Sequence, residues 1–492
     1  MATLGLGFND GKFQYLLSRE LDTRFDRNLE LDDGYLLNHT ASTDVLSRQW
    51  EGRRLSIVGL CIDSFGELGR DDIAPWLLKE AGTLKELLVA MTRLAGKYVL
   101  IYQADGQLYL VGDATSSLPV YYSFEKNGLC ASSSAGLTAS CADSGLSELA
   151  IRARRGSGLD QALPYNITLY DQVFSLLPNY YLDVQGQRAV RYFPTPELAE
   201  PERSLDEVVQ RSIELIGNVV REYSRYHELV CPLTAGWDSR VVYAFLRREG
   251  DVRCYTFRHS RFAADAGELA VPRAICSANA SPYQALEVEQ APEAFCNDLK
   301  EIIGGFHDRS KVNLAYTYRR SFGDSALING DIMGQIGKSS LFNAVPAWLS
   351  PNSYFVTKTH NYSAAAWKLT CAHTREIKQS CRNGMMFDLF SWENRCGRWA
   401  AQSAEVYSAC GINMLNIFNC AALIRMWLGV PPTVRVHHRI HSGMLEAIAP
   451  DLLDFPCNPD NRIDWLRRNS YLYFLASHVK YGIGGVKRLT RA

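Results

Sequence analysis

Between residues 227 and 329 short apolar runs alternate with longer amphipathic stretches, and this alternation restricts the fold more than any other feature of the chain. The runs 252–257, 285–288 and 326–329 read as strands, and 264–278 and 292–303 read as helices. A strand that returns through a helix comes back in the same direction, so the pattern predicts a parallel sheet with helices on its faces. Ligands of such sheets lie beyond the carboxyl ends of the strands.

The stretch His227-Glu-Leu-Val-Cys-Pro-Leu-Thr-Ala-Gly-Trp-Asp-Ser-Arg-Val-Val-Tyr-Ala-Phe-Leu246 reads as a buried strand, a tight loop and a helix. The loop, 234–239, has the composition of a phosphate site. Thr234 and Ser239 carry hydroxyls, Ala235 and Gly236 admit close backbone approach, and helix-start amides carry the positive end of the dipole. Asp238 alone would repel phosphate. It fits if a divalent cation lies between them. The chemistry expected is therefore Mg-nucleotide or Mg-pyrophosphate binding.

This loop resembles the pyrophosphate (PP) loop of the asparagine synthetase superfamily, usually Ser-Gly-Gly-x-Asp-Ser, with Thr234 and Ala235 replacing the first two residues. The resemblance implies an ATP site formed by Leu233, Thr234, Ala235, Gly236, Asp238 and Ser239, with Phe257 in the adenine pocket and Asp265 or Glu268 near the ribose or the loop. Arg240 adds a cation that the resemblance makes catalytic.

The segment Ile328-Asn-Gly-Asp-Ile-Met-Gly-Gln-Ile-Gly-Lys-Ser-Ser340 contains Gly-Lys-Ser, but a Walker A motif needs glycine where Ile332 stands. It resembles instead the family's Ser-Gly-Glu-Gly-Ala-Asp-Glu loop. Gly330 and Asp331 match its Gly-Glu, while Gly334 and Gln335 fall on its Asp-Glu pair. That places Mg²⁺ on Asp238 and Asp331, unless the altered loop has weakened or lost the metal. Lys338 is a candidate phosphate-stabilising cation.

Residues 1–195 read as mainly β. Strands over 55–62, 96–103, 108–113, 120–123 and 128–133, a short helical run over 84–93, and a hairpin turn at Asp105-Gly106 predict an antiparallel arrangement. Gly96-x-Tyr-x-Leu-Ile, Leu-Val-Gly-Asp113, Leu118-Pro-Val-Tyr-Tyr122 and Ala131-Ser-Ser133 are similar to the glutaminase-like N-terminal domain of asparagine synthetases. The resemblance implies an Ntn-hydrolase-like α+β sandwich. Its nucleophile would be a cysteine at position 2, where this chain has Ala2, so glutamine hydrolysis is not expected. A Pro- and Glu-rich stretch, 194–203, reads as a linker. Ser204 and Glu207 form a capping box for the next helix.

The fold class expected is thus α/β: a glutaminase-like unit over 1–195, a PP-loop parallel core over 204–345, and a helical extension over 346–492. In the last, Glu393 to Trp399, Asn416 to Asn419 and Leu428 to Pro432 resemble the family's helical part, and Arg462 is one stand-in for its pyrophosphate-release lysine. His437, His438 and His441 have a spacing that allows zinc, but no accompanying signature, and read as packed or solvated side chains.

Formal net charge is −1, which argues against nucleic acid as a partner. The 13 cysteines include no Cys-x-x-Cys pair and sit mostly among apolar neighbours, as reduced thiols do. No apolar run reaches spanning length. A cytoplasmic protein without a membrane span is expected, with a homodimer or partner protein left open. The resemblance implies ATP-dependent, AMP- and pyrophosphate-forming activation of a small-molecule or peptide carboxylate, then amide formation with ammonia or an amine. A peptide macrocyclase-type ligase, a tRNA-modifying ATPase and an inactive scaffold are the alternatives. A missing basic patch counts against the tRNA reading.

Overall fold

The computed structural model describes residues 6–124, 128–157, 163–198, 201–258, 267–304, 308–339, 350–359, 361–380, 385–457 and 469–489. Ala2, Asp265 and Arg462, each given a role or its loss above, lie outside them.

The first unit is built from two six-stranded antiparallel sheets. In one, Arg53–Asp63, Leu94–Ala104 and Gln107–Gly112 lie side by side. Asp105 and Gly106 join the last two with φ of 52° and 70°, the twist a two-residue hairpin needs. Leu17 and Leu37 of the other sheet belong to the same buried core as Val58 and Leu100 of this one. Helix Ile73–Glu80 covers the outer side of one sheet and helix Ala135–Ala142 that of the other.

Helix Leu205–Tyr226 then opens at the capping box: Ser204 Oγ accepts from the Glu207 amide at 3.3 Å, and Glu207 Oε2 accepts from the Ser204 amide at 2.8 Å. Such a cap contributes about 1 kcal/mol. Val208, Val209, Ile216, Val219 and Val220 bury its inner face.

The parallel sheet has five strands in the order Tyr283–Glu287, Arg253–Arg258, Leu229–Pro232, Ala326–Asn329, Met414–Asn416. Its faces separate residue by residue. Cys231, Cys254, Ala326 and Ile328 point to one core, shared with helices Trp237–Leu246 and Gly267–Ala278. Val230, Tyr255 and Leu327 point to another, shared with helices Glu293–Ile303, Arg309–Phe322 and Ala401–Ala409. Burial on both faces explains the apolar character of the inner strands Leu229–Pro232 and Ala326–Asn329, whereas the edge strand Tyr283–Glu287 stays largely open. Chain order reverses direction across the sheet between Leu229–Pro232 and Ala326–Asn329. The crevice beyond that pair is where such folds bind ligands.

Two expectations need correcting. The stretch 346–492, read as mostly helical, also contains a strand: Met414–Asn416 pairs with Ala326–Asn329 and completes the sheet. Three residues carry too little periodicity to announce a strand. The cysteines are not all thiols either. Cys130 and Cys141 form a disulfide with Cα atoms 6.3 Å apart, because the helix ending near Cys141 folds back over the strand beginning at Cys130. Among the described residues ten other cysteines are free, eight of them buried.

The first unit and the parallel unit share a continuous interior. Asn419 Nδ2 donates to Asp113 Oδ1 at 2.8 Å and to Ser117 Oγ at 2.9 Å. Lys97 Nζ reaches Ser408 Oγ at 2.5 Å, and Trp392 Nε1 donates to the Ala114 carbonyl at 2.5 Å. Among the described residues no helix is long and apolar enough to cross a membrane.

Candidate active site

The loop 234–239 leaves the central strand at the crevice and enters helix Trp237–Leu246. Two of its features differ from expectation. First, the hydroxyls shape the loop itself. Thr234 Oγ1 and Ser239 Oγ lie 2.9 Å apart, the Thr234 amide donates to Ser239 Oγ at 3.0 Å, and the Gly236 amide donates to Thr234 Oγ1 at 3.1 Å. Second, no residue of 234–239 has positive φ, so Ala235 replaces glycine without backbone strain. Gly236 is the N-cap and makes no side-chain cap bond. The first-turn amides are thus left for another acceptor.

Leu233 is fully buried, its amide bonded to the Tyr255 carbonyl and its own carbonyl to Thr256 Oγ1. It anchors the loop to the sheet, and its side chain cannot reach a ligand. Phe257 is half-buried beside Tyr255, ring centroids 5.0 Å apart, on the strand next to the loop. Glu268 sits in the first turn of helix Gly267–Ala278.

Arg240 is placed differently from its expected catalytic role. It is fully buried, and its guanidinium donates to the carbonyls of Leu452, Phe455 and Pro456 at 2.8–2.9 Å. A longer contact, 3.4 Å, reaches the Ala235 carbonyl. The cation fastens the segment 452–456 to the underside of the loop. With its charge committed to carbonyls, it is a positioning residue.

Asp238 lies in the first turn of the helix with its side chain 37% exposed. Its Oδ1 accepts from Nε2 of His441, a fully buried histidine, at 2.8 Å. Its Oδ2 faces Gly334: a Cβ added there would stand 2.3 Å from that oxygen. Gly330 makes a similar accommodation, since a Cβ on it would meet Val242 Cγ2 at 2.9 Å and the Asp238 carbonyl at 3.3 Å. These two glycines let the segment after Ala326–Asn329 lie directly on the loop helix. The backbone at Gly334 therefore abuts the Asp238 carboxylate directly.

Asp331 follows Gly330 at the carboxyl end of the neighbouring strand. Its amide donates to Asn329 Oδ1 at 3.0 Å, and its Oδ1 accepts from Asn416 Nδ2 at 3.2 Å. Burial pushes its carboxyl up to about 6, the Asn329 side chain opposes this, the charge of Asp238 adds to it and Arg395 opposes it. Asp238 and Asp331 are thus brought within electrostatic reach of one another. A cavity of about 20 Å³ beside Asp331, roomy enough for a water, is lined by Asn329, Cys396 and Asn416 and by Thr115 and Ser117 of the first unit. A larger cavity of about 90 Å³, between Tyr121, Arg398 and Glu405, shares no residue with the loop.

Lys338 ends the turn Met333–Gly337, its amide bonded to the Met333 carbonyl at 3.1 Å. It lies near His438, whose ring stacks on Trp237 at 5.3 Å and meets His441 at 5.0 Å. Burial first, then His441, Lys338 and His437, hold His438 down to about 3. Sequence reasoning missed His441, Trp237 and Arg395 as parts of this site. The sequence shows the histidines only as a cluster, and the contact of His441 with Asp238 spans 203 residues.

No group of three or more His, Cys, Asp or Glu that could hold a metal occurs among the described residues. Two carboxylates suit Mg²⁺ nonetheless, because it takes one or two from the protein and its other oxygens from phosphate and water. Asp238 and Asp331 are the two carboxylates that would hold it. Comparison of the chain with protein-family models and with curated proteins gives no match.

Proposed function

We propose that this chain binds Mg-ATP at the loop 234–239, activates a carboxylate by adenylation and passes the acyl group to ammonia or an amine. Asparagine synthetases, whose motifs the loop resembles, provide the template for that chemistry. The observation that carries the reading is the position of the loop: it joins the central strand to a helix at the reversal of strand order, with Asp238 in the first turn of that helix and Asp331 just past the end of the adjacent strand.

In this reading the uncapped first turn of helix Trp237–Leu246 receives phosphate oxygens. Asp238 and Asp331 would hold Mg²⁺, which supplies charge neutralisation of the phosphates. His441 orients Asp238, Leu233 and Arg240 fix the loop from behind, and Phe257 flanks the base. Lys338 and Arg395 supply positive charge at the crevice. A carboxylate oxygen displaces pyrophosphate from the α-phosphorus of ATP, and the amine then displaces AMP from the acyl carbon. Donors fixed before the reaction stabilise the charge that develops on the phosphates. The two-sheet unit, read as Ntn-hydrolase-like, would act as a packed support for the parallel unit, held to it by contacts such as Asn419 to Asp113 and Trp392 to the Ala114 carbonyl.

Pyrophosphate exchange into ATP, measured against a panel of carboxylates, tests this. Exchange stimulated by one class of acid supports the reading. One observation favours a second reading, a nucleotide-binding scaffold: Gly334 and Gln335 stand where the family motif has two acids. Mg-ATP binding with no exchange for any acid would select that alternative.

A further inference from the structure

Over residues 471–480, helix Ser470–Leu489 has one face packed and one bare. Phe474 is fully buried, its ring 5.9 Å from that of Tyr354, and the Ser477 carbonyl accepts from the Tyr362 hydroxyl at 3.3 Å. On the opposite side Tyr471 is 53% exposed, Leu472 47%, Leu475 58% and Val479 58%. Ten large apolar side chains are exposed among the described residues, and these four fall within nine positions of one helix. At 100° per residue they occupy a single stripe. The sequence repeats the spacing onward with Ile483, Val486 and Leu489. Scattered exposed apolar residues need no explanation, whereas a continuous stripe marks a binding surface.

Charge decides what covers it. From residue 469 to the end the chain carries Lys480, Lys487, Arg488 and Arg491 and no Asp or Glu, in a protein of net charge −1. Helix Glu148–Gly156, which packs against this one, adds an exposed Arg155. Two copies joined through this stripe would set like charges against each other with no acid on the helix to offset them. A surface rich in phosphate headgroups is complementary to both features, apolar stripe and basic border.

We propose that the stripe Tyr471, Leu472, Leu475 and Val479 seats on an anionic lipid surface, the helix lying in the plane of the headgroups. No described helix can cross the bilayer, so the contact is peripheral. It holds the crevice at a membrane, where a lipid-linked or membrane-delivered carboxylate would be met. That last step depends on the ligase reading. The lipid contact does not.

The test is co-sedimentation of the full chain with phosphatidylcholine vesicles, with and without phosphatidylglycerol, at low and high salt. Binding to the anionic vesicles alone, weakened by salt, is expected. The double variant L475S/V479S changes only exposed positions and should lose it. K480Q/K487Q should weaken it by about fivefold per charge removed. Equal binding to neutral vesicles, or no binding to either, overturns the proposal. So does a dimer on gel filtration that L475S/V479S dissolves while lipid binding is absent, which would assign the stripe to a second copy of the chain.

Discussion

Nε2 of His441 donates to Oδ1 of Asp238 across 2.8 Å, joining a fully buried histidine to the one carboxylate of the loop. The imidazole fixes which oxygen of Asp238 remains for a cation. Partners of this kind tune metal affinity by about tenfold or more. His441→Phe keeps the bulk and removes the donor. We expect the Mg-dependent part of ATP affinity to fall about tenfold, with Mg-independent binding little changed. Calorimetry with and without the metal reads both. An equal fall in both would assign His441 a purely structural role.

Gly334 touches the other oxygen. A methyl group there would stand 2.3 Å from Asp238 Oδ2, closer than atoms tolerate, so Gly334→Ala must displace the carboxylate or the turn Met333–Gly337. Loss of Mg-dependent nucleotide binding is expected, at a stability cost of about 1–3 kcal/mol for the overpacking. Denaturant unfolding gives the second quantity. Unchanged metal dependence would show that Oδ2 is not used.

Asp331 gives a pH signature. Its folded-state value, about 6, lies above that of a free carboxyl, so the native protein holds this proton longer than the unfolded chain. Its contribution to stability without metal therefore falls as pH rises from about 4 through about 6. Asp331→Asn should escape this loss and gain about 1 kcal/mol near neutrality, after allowance for partial solvent contact. The same ionisation should strengthen Mg-dependent ATP binding over that window in the parent protein only. Thermal unfolding across pH, with and without Mg²⁺, checks both signs.

Arg240 is bound to carbonyls at four positions, from the loop and from 452–456. Arg240→Met should cost about 3 kcal/mol, because buried carbonyls lose charge-assisted donors. Its effect on exchange should follow the loss of folded protein. A variant that stays fully folded but loses exchange would return Arg240 to the reacting centre.

Local physics was legible in the chain. The strand Ala326–Asn329 agrees residue for residue with its prediction, the Ser204 and Glu207 side chains cap each other as their spacing requires, and Asp105-Gly106 makes its hairpin. Each follows from residues within a few positions of one another. What escaped depends on distant contacts. Met414–Asn416 becomes a strand only because the edge of Ala326–Asn329 is open to it. Asp238 meets His441 through the packing of helix Arg439–Ile448 on helix Trp237–Leu246. The direction of Arg240 is set by carbonyls more than 200 positions away. Composition cannot show whether a loop hydroxyl faces a ligand, as Thr234 and Ser239 illustrate by bonding each other.

The most direct measurement is ATP binding by calorimetry to the full chain and to Asp238→Asn, each titrated with and without Mg²⁺. If the loop holds Mg-ATP through Asp238, the parent binds ATP more tightly with the metal and the variant, still folded, binds equally with and without it. Metal-enhanced binding that survives in Asp238→Asn, or no ATP binding by the parent at all, would contradict this.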